Sequence, residues 1–132
     1  MKTKTIKQEV LFNASPHDVY EALMDSKKHA AFSGSKCSIS KEIGGKFSAY
    51  DGWIYGKNLE LVPDKKIVQS WRANDDEWPE GHDSKVTFKL TKVKEGTKLV
   101  FTHENVPADW FENLTEGWHE YYWKPMKEMF EK

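Results

Sequence analysis

The 132-residue sequence has little of what would assign a function class directly. It contains a single cysteine, Cys37, so neither an internal disulfide nor a thiolate metal cluster can form. Its five prolines and eight glycines are scattered, and no repeat, linker or low-complexity segment interrupts the chain. We therefore expect a single domain over residues 1–132, in a reducing compartment, with the cytoplasm as the simplest localisation.

Long apolar runs and an excess of charge are also missing. No stretch approaches the roughly 20 apolar residues that span a bilayer, and the N-terminal residues 1–7 carry no apolar signal region. The 20 basic and 21 acidic residues leave a net charge of −1, which gives no electrostatic footprint for nucleic acid or anionic lipid. We expect no nucleic-acid partner and no membrane partner.

Motifs that carry catalysis or metal binding are absent as well. The sequence has no nucleophile elbow, no glycine-rich phosphate loop and no paired-carboxylate motif. Its five histidines are not spaced in the way that metal ligands usually are: His17, His29, His82, His103 and His119. His103 and Glu104 are adjacent, and neighbouring residues of a strand face opposite sides, so these two cannot act together. We predict a non-catalytic protein with no metal and no cofactor.

Aromatic residues are abundant, and they are concentrated near the C-terminus. Residues 105–130 are typical of one long helix. Its apolar residues recur at steps of three and four, on one face: Leu114, Trp118, Tyr121, Tyr122, Pro125, Met126 and Met129. Pro125 should leave the Tyr121 carbonyl without its helical donor and kink the helix. Gly117 is costly in a helix, which favours a close backbone approach to the sheet or a helix boundary nearby. Such a face requires a concave apolar partner.

The rest of the chain predicts strands, interrupted by two short helices. Ser15 is a good N-cap and Pro16 suits the first helical position, so a helix should run from there to Asp25. A second helix is expected at 27–32. The predicted strands are 5–13, 46–50, 54–62, 67–72, 86–92 and 97–104, with a hairpin turn at 51–52. This order predicts an α+β fold, a curved antiparallel sheet wrapped around the C-terminal helix.

Strand alternation predicts which side chains face that helix. The apolar members are Leu59, Leu61, Ile67, Trp71, Val86, Phe88, Leu90, Leu99 and Phe101. Most of them are expected to be core. Gln69 and His103 share the inward register, and each needs a partner because a buried unpaired polar group costs about 1–3 kcal/mol. We therefore predict a ligand cavity between helix and sheet, lined by Gln69, Trp71, Phe88, Phe101, His103, Trp118, Tyr121 and Tyr122.

Four further aromatic residues lie in or beside predicted turns, outside the main core. They are Trp53, Trp78, Trp110 and Phe111. Large apolar side chains in such places rim a cavity mouth or form a partner surface. Simple packing of the loops explains them equally well, and the sequence leaves both interpretations open.

Several segments resemble a known family. Residues 13–16 open the first helix with Asn-Ala-Ser-Pro, residues 44–47 start the sheet with Gly-Gly-Lys-Phe, and Gly117-Trp118 lies in the last helix. This order resembles the START-like helix-grip superfamily (SRPBCC, the birch-pollen-allergen fold). Within it, residues 51–52, 56–72, 78–82, 106–108 and 115–118 are similar to the family named for the C-terminal domain of the activator of heat-shock protein 90 ATPase.

The resemblance covers nearly the whole chain and implies a helix-grip fold. For the superfamily it implies a binding module that holds a small, largely apolar molecule between helix and sheet. The alternatives are a protein-interaction module acting on an Hsp90-type chaperone and, more weakly, a hydrolase or cyclase. Met1 lies within a few residues of the first strand, so we expect no counterpart of the activator's separate N-terminal domain. One small patch seldom supplies about 800 Å² per partner, so chaperone stimulation should be weak.

Overall fold

A computed structural model describes residues 1–131. Seven strands form one antiparallel sheet in the order β1-β7-β6-β5-β4-β3-β2. Their bounds are β1 (Thr3–Phe12), β2 (Ser38–Ile39), β3 (Lys46–Ala49), β4 (Ile54–Val62), β5 (Lys66–Ala73), β6 (Ser84–Val93) and β7 (Gly96–Pro107). The helices are α1 (Pro16–Met24), α2 (Ser26–Ser33), a 3₁₀ turn (Ala108–Trp110), α3 (Phe111–Trp118), a π-helical segment (His119–Trp123) and α4 (Lys124–Phe130). The predicted α+β helix-grip fold is confirmed: the curved sheet holds the C-terminal helix.

Local capping chemistry explains the two helices after β1. The Ser15 hydroxyl accepts a hydrogen bond from the Asp18 backbone N–H at 3.1 Å, and Pro16 begins α1 as predicted. Asp25 ends α1 and caps α2, because its carboxylate accepts from the Lys28 N–H at 3.0 Å. Gly34, with φ of 71°, ends α2 in the left-handed conformation that glycine adopts without strain. The two helices therefore meet at a single shared capping residue, Asp25.

The predicted start of the C-terminal helix at residue 105 is wrong. Strand β7 continues to Pro107, which pairs with Thr3, and Val106 pairs with Lys4 and is fully buried. Asn105 lies in a bulge of β7, where residues 104 and 105 face the single residue Thr5 of β1, and it adopts a left-handed φ of 61°. Asparagine tolerates that conformation, so the strand resumes its pairing beyond the irregularity. The helix begins only after the chain has left the sheet.

A β-bulge in β4 makes the prediction for Leu59 wrong. The pairing with β5 shifts between Asn58 and Glu60, and one extra residue inverts the alternation of side chains. Leu59 is consequently 49% exposed, whereas Asn58 is fully buried on the inner face. The Asn58 amide donates to the carbonyls of Ser40 (2.6 Å) and Glu42 (3.0 Å), which tie the preceding loop to the sheet.

The helix face also differs from the predicted one at two residues. Tyr121 is 60% exposed, and Trp123, which the three-and-four spacing left out, is 2% exposed. The cause is the π-helical segment, in which the Lys124 N–H donates to the His119 carbonyl, five residues back. The wider turn brings Trp123 onto the face of Trp118, and their rings stack with centroids 5.7 Å apart.

Strand β1 holds the helix on both sides of this irregular turn. The Gln8 side-chain amide donates to the Thr115 carbonyl at 3.0 Å and accepts from the Trp123 indole N–H at 2.7 Å. Pro125 has no backbone N–H, and another group donates a hydrogen bond in its place. In an α-helix the N–H of residue 125 would donate to the Tyr121 carbonyl, and here the Tyr50 hydroxyl donates to it. A side chain from the β3–β4 turn thus completes the helix backbone.

Candidate functional site

The buried His103 belongs to a closed hydrogen-bond network. The Ser84 hydroxyl donates to the Trp71 carbonyl at 2.7 Å, and His103 Nε2 lies 2.8 Å from the same Ser84 oxygen. Nε2 therefore carries the proton, and Nδ1 accepts from the Trp118 indole N–H at 3.1 Å. Burial lowers the pKa of His103 to about 3, so the ring is neutral. With both nitrogens paired, His103 is not available as a catalytic base or as a ligand contact.

Gln69 and Tyr122 are paired in two other networks. The Gln69 amide donates to Asn58 Oδ1 at 3.0 Å, and the Tyr122 hydroxyl lies 3.1 Å from His29 Nε2. Burial lowers the pKa of His29 to about 4, so this imidazole is also neutral. Gln69 and Tyr122 border one small void, but His103 lines neither this void nor a larger pocket, so the three do not converge on one space.

The space directly between helix and sheet is nearly filled. Phe88 and Gln69 border a void of only about 20 Å³, which has room for about one water molecule and is far below the roughly 300 Å³ at which ligand pockets begin. The Phe101 ring lies 4.4 Å from the Trp118 ring, centroid to centroid, and occupies the centre of the core. A ligand bound there would have to displace core side chains.

A larger pocket, of about 320 Å³, lies at the edge of this region, between the C-terminal helix and the β3–β4 turn. Its lining residues are Tyr50, Trp53, Ile54, Trp71, Asn113, Leu114, Gly117, Trp118, Tyr121 and Tyr122. Four of the eight predicted cavity residues are therefore brought together: Trp71, Trp118, Tyr121 and Tyr122. Gln69, Phe88, Phe101 and His103 do not line this pocket.

The β3–β4 turn forms one wall of the pocket. Tyr50 and Asp51 have left-handed φ angles of 51° and 58°, and Gly52 follows with φ of 90°. This turn falls at the predicted Asp51-Gly52 hairpin and directs the Tyr50 hydroxyl to the Tyr121 carbonyl. Burial raises the pKa of Tyr50, so its hydroxyl keeps the proton that it donates.

Gly117 forms part of the opposite wall. A Cβ atom at this position would meet only Tyr121 Cδ2, at 3.9 Å, which is an ordinary van der Waals contact. No close approach to the sheet requires glycine here, contrary to one of the two interpretations of the sequence. The absence of a side chain instead leaves space in the pocket.

Three of the four turn aromatics form a cluster that extends to the surface. Trp78 is 7% exposed and lies with its ring centroid 5.6 Å from Trp71 and 5.4 Å from Trp110. Its indole N–H donates to the His82 carbonyl at 2.8 Å, so Trp78 packs the loop and offers little partner surface. Trp53 is 36% exposed and lines the pocket mouth. Phe111 is covered by Lys4, whose Nζ lies 5.0 Å from the ring centroid.

One buried donor on the pocket wall has no partner. Trp71 is 2% exposed, and its indole N–H makes no hydrogen bond within residues 1–131. Leaving such a donor unpaired costs about 1–3 kcal/mol. The sequence indicated that Trp71 faces inward, but it carries no signal for where the N–H falls.

Two other properties concern the described part of the chain as a whole. Residues 1–131 contain no group of three or more His, Cys, Asp and Glu side chains placed to hold a metal ion. Within the same residues, every helix is too short or too polar to cross a membrane.

A seven-stranded antiparallel sheet that holds a C-terminal helix, with two short helices after the first strand, defines a helix-grip protein. Residues 13–131 match the family described as Activator of Hsp90 ATPase homolog 1-like protein, and the chain belongs to this family.

Its relatives include longer proteins. The Activator of 90 kDa heat shock protein ATPase homolog of Dictyostelium discoideum is 41% identical over 117 residues, which are 88% of this chain and 30% of that protein. Human homolog 1 is 32% identical over 126 residues, which are 96% of this chain and 36% of that protein. The chain thus spans about a third of the length of these relatives.

Among solved structures, an HSP90 activator from Plasmodium falciparum is similar over 96% of this chain and 94% of its own, with a TM-score of 0.84 and 29% identity. The Aha1 dimer from Colwellia psychrerythraea has a TM-score of 0.82 at 21% identity over 96% of both chains. The second similarity concerns the fold alone.

Proposed function

We propose that this chain is a protein-interaction module of the Hsp90 ATPase activator type, which acts on an Hsp90-type chaperone. The observation that supports this most is the family match over residues 13–131, together with a relative 41% identical that is named as such an activator. Those relatives are about three times longer than this chain, so their activity is a proposal for this chain.

The pocket and its exposed rim supply a suitable contact surface. Trp53 and Tyr121 are 36% and 60% exposed, and both border the apolar pocket of about 320 Å³. Binding energy at protein interfaces is concentrated in aromatic residues beside pockets that one partner side chain fills. We infer that an apolar side chain of the chaperone enters this pocket between Trp53 and Tyr121.

Adding the chain to an Hsp90-type chaperone should produce a saturable rise in ATPase rate. The rise should be small, because the rim is small compared with about 800 Å² per partner. The double variant Trp53→Ala, Tyr121→Ala should remove it, and Leu11→Ala, which truncates a 55% exposed side chain on the other face of the sheet, should not. A coupled ATPase assay and titration calorimetry measure both effects. If the wild-type chain neither binds the chaperone nor raises its rate, the proposal fails.

A second candidate function is the binding of a small, largely apolar molecule in the same pocket. At about 320 Å³ the pocket lies at the lower end of the roughly 300–1,000 Å³ usual for ligand sites. Its lining is mostly aromatic and aliphatic side chains, which favours a ligand with a largely apolar body. Native mass spectrometry of freshly purified protein would reveal such a molecule.

Replacement of Gly117 separates ligand binding from stability. Gly117→Leu should fill the pocket and abolish binding of an apolar fluorescent probe, while the loss of a helical glycine stabilises the fold by up to about 1 kcal/mol. Gly117→Ala should retain most binding, since one methyl group occupies little of the space. Glu116→Leu, an exposed position next to it, should leave binding unchanged. Unaltered probe binding by Gly117→Leu would place the ligand elsewhere.

A further inference from the structure

The outer face of the sheet, which points away from the helices, is rich in positive charge. Alternation along the strands places the core residues on the helix side and directs a second set of side chains outward. The basic members of this set are Lys7, Lys46, Lys57, Lys66, Arg72, Lys85, Lys89 and Lys98. They occupy six neighbouring strands, from β3 to β1. We call this surface the outer basic face.

Carboxylates neutralise only half of these cations. The ion pairs on the face are Lys66–Glu60 (3.3 Å), Lys85–Glu104 (3.4 Å), Lys98–Glu9 (3.0 Å) and Arg72–Asp83. Within residues 1–131, no carboxylate lies within 4.0 Å of the ammonium groups of Lys7, Lys46, Lys57 and Lys89. The face therefore carries excess positive charge, although the chain as a whole has a net charge of −1.

Two cross-strand pairs place like charges directly opposite each other. Lys46 of β3 pairs with Lys57 of β4, and Lys66 of β5 pairs with Lys89 of β6. Such pairs destabilise a sheet. An anionic occupant would relieve the repulsion, so these two pairs favour one.

The outer basic face also contains two grooves that a ligand can fill. A groove of about 360 Å³ is lined by Lys46, Tyr55, Gly56, Lys57, Ser70, Arg72 and Asp83. A second groove, of about 320 Å³, is lined by four lysines and two glutamates among other residues: Lys7, Lys66, Lys85, Lys89, Glu60 and Glu104. The two grooves lie on the same face, so one elongated ligand can contact both.

We propose that the outer basic face binds an extended acidic segment of a partner protein. Six adjacent strands span five intervals of about 4.8 Å, roughly 24 Å, which an extended peptide of about seven residues covers. A single phosphate would neutralise only one groove. A nucleic acid fits less well, because a chain with a net charge of −1 has no long-range attraction for a polyanion. This site is distinct from the pocket proposed for the chaperone or apolar ligand.

A fluorescent peptide of eight residues that alternates glutamate and serine tests the proposal by anisotropy. The wild-type chain should bind it, and the affinity should fall as salt is raised, because exposed charges are screened. Inorganic phosphate and a single-stranded thymidine oligonucleotide of equal charge serve as competitors, and both should compete poorly.

Variants at Lys46 and Lys57 separate binding from stability. Lys57→Glu converts a like-charge pair into an opposite one, so it should raise the melting temperature while it weakens peptide binding. The double variant Lys46→Glu, Lys57→Glu restores a like-charge pair, and it should lose affinity by roughly tenfold with a melting temperature near that of the wild type. Lys27→Glu, Lys28→Glu makes the same charge change at exposed positions of α2 and should bind normally.

Three results would overturn the proposal. The first is that the double variant binds the peptide as tightly as the wild type does. The second is that the α2 control loses as much peptide affinity as the double variant, because net charge alone would then explain the effect. The third is tighter binding of the oligonucleotide than of the peptide, which would assign the face to nucleic acid.

Discussion

Trp118→Ala is expected to lower the free energy of unfolding by about 3–5 kcal/mol, the range for removal of a large buried aromatic side chain. Trp118 is 4% exposed, and its ring lies 4.4 Å from Phe101 and 5.7 Å from Trp123, centroid to centroid. The substitution also removes the indole N–H that His103 Nδ1 accepts, which leaves a buried acceptor unpaired. Loss of packing and loss of the hydrogen bond act in the same direction.

Chemical denaturation at neutral pH measures this loss. Tyr121→Ala is the matched control, because it removes an aromatic side chain that is 60% exposed three residues further along the same helix. The control should cost about 1 kcal/mol or less. A loss below about 1 kcal/mol for Trp118→Ala itself would contradict the central position of this residue.

Lowering the pH from 7.5 to 5 should destabilise the protein by about 4 kcal/mol. Burial lowers the pKa of His103 to about 3 and that of His29 to about 4, whereas both should titrate near 6.5 in the unfolded chain. Below pH 6.5 the unfolded state therefore binds more protons than the folded state. The contribution of the two neutral histidines to stability is present in full above their unfolded pKa of about 6.5. It is lost as the pH falls toward the folded pKa values, by about 1.4 kcal/mol per pH unit for each histidine.

Denaturant midpoints measured between pH 7.5 and 5 test this dependence. His29→Leu should reduce the slope by about half, since one of two titrating groups is gone. His119→Gln, at an exposed position, should leave the slope unchanged. The pKa of Asp25 is lowered, chiefly by the Lys28 N–H, so this carboxyl titrates below the chosen window. If the slope in His29→Leu equals that of the wild type, buried histidines are not the cause.

Local chemistry made much of the fold predictable. The Ser15-Pro16 start of α1, the Asp51-Gly52 turn and the strand 54–62 depend on residues adjacent in sequence, and the structure has all three. The order of the elements then determined the α+β class, because a helix with an apolar face must cover a sheet.

The predictions of side-chain direction were wrong where one extra residue changes the repeat of side chains along a strand or helix. The bulge at Leu59 and the π-helical segment before Pro125 each shift the later side chains, and neither follows from the local spacing. Pro125 indicated that the helix would be irregular, but not that a wider turn would bury Trp123 and expose Tyr121. Val106 and Pro107 stayed in the sheet because β1 supplied pairing partners distant in sequence, Lys4 and Thr3.

The candidate site was predictable in its composition and not in its position. The inward direction of Gln69, Trp71 and His103 follows from strand alternation, and all three are buried. The way these polar groups pair depends on atoms of Asn58, Ser84 and other residues, whose positions only the tertiary structure defines. The pocket therefore lies beside the Tyr50 turn, where no periodicity indicated it.

The bridging side chain of Gln8 holds the helical wall of the pocket to strand β1. Its amide joins the turns of the helix before and after the π-helical segment, so sliding or unwinding the helix there breaks two hydrogen bonds to one side chain. The opposite wall is held to the helix backbone by the hydroxyl of Tyr50, a residue in a strained left-handed conformation. The two walls therefore differ in how they are attached: Gln8 joins the helix to strand β1 through two hydrogen bonds, and Tyr50 joins the β3–β4 turn to the helix through one.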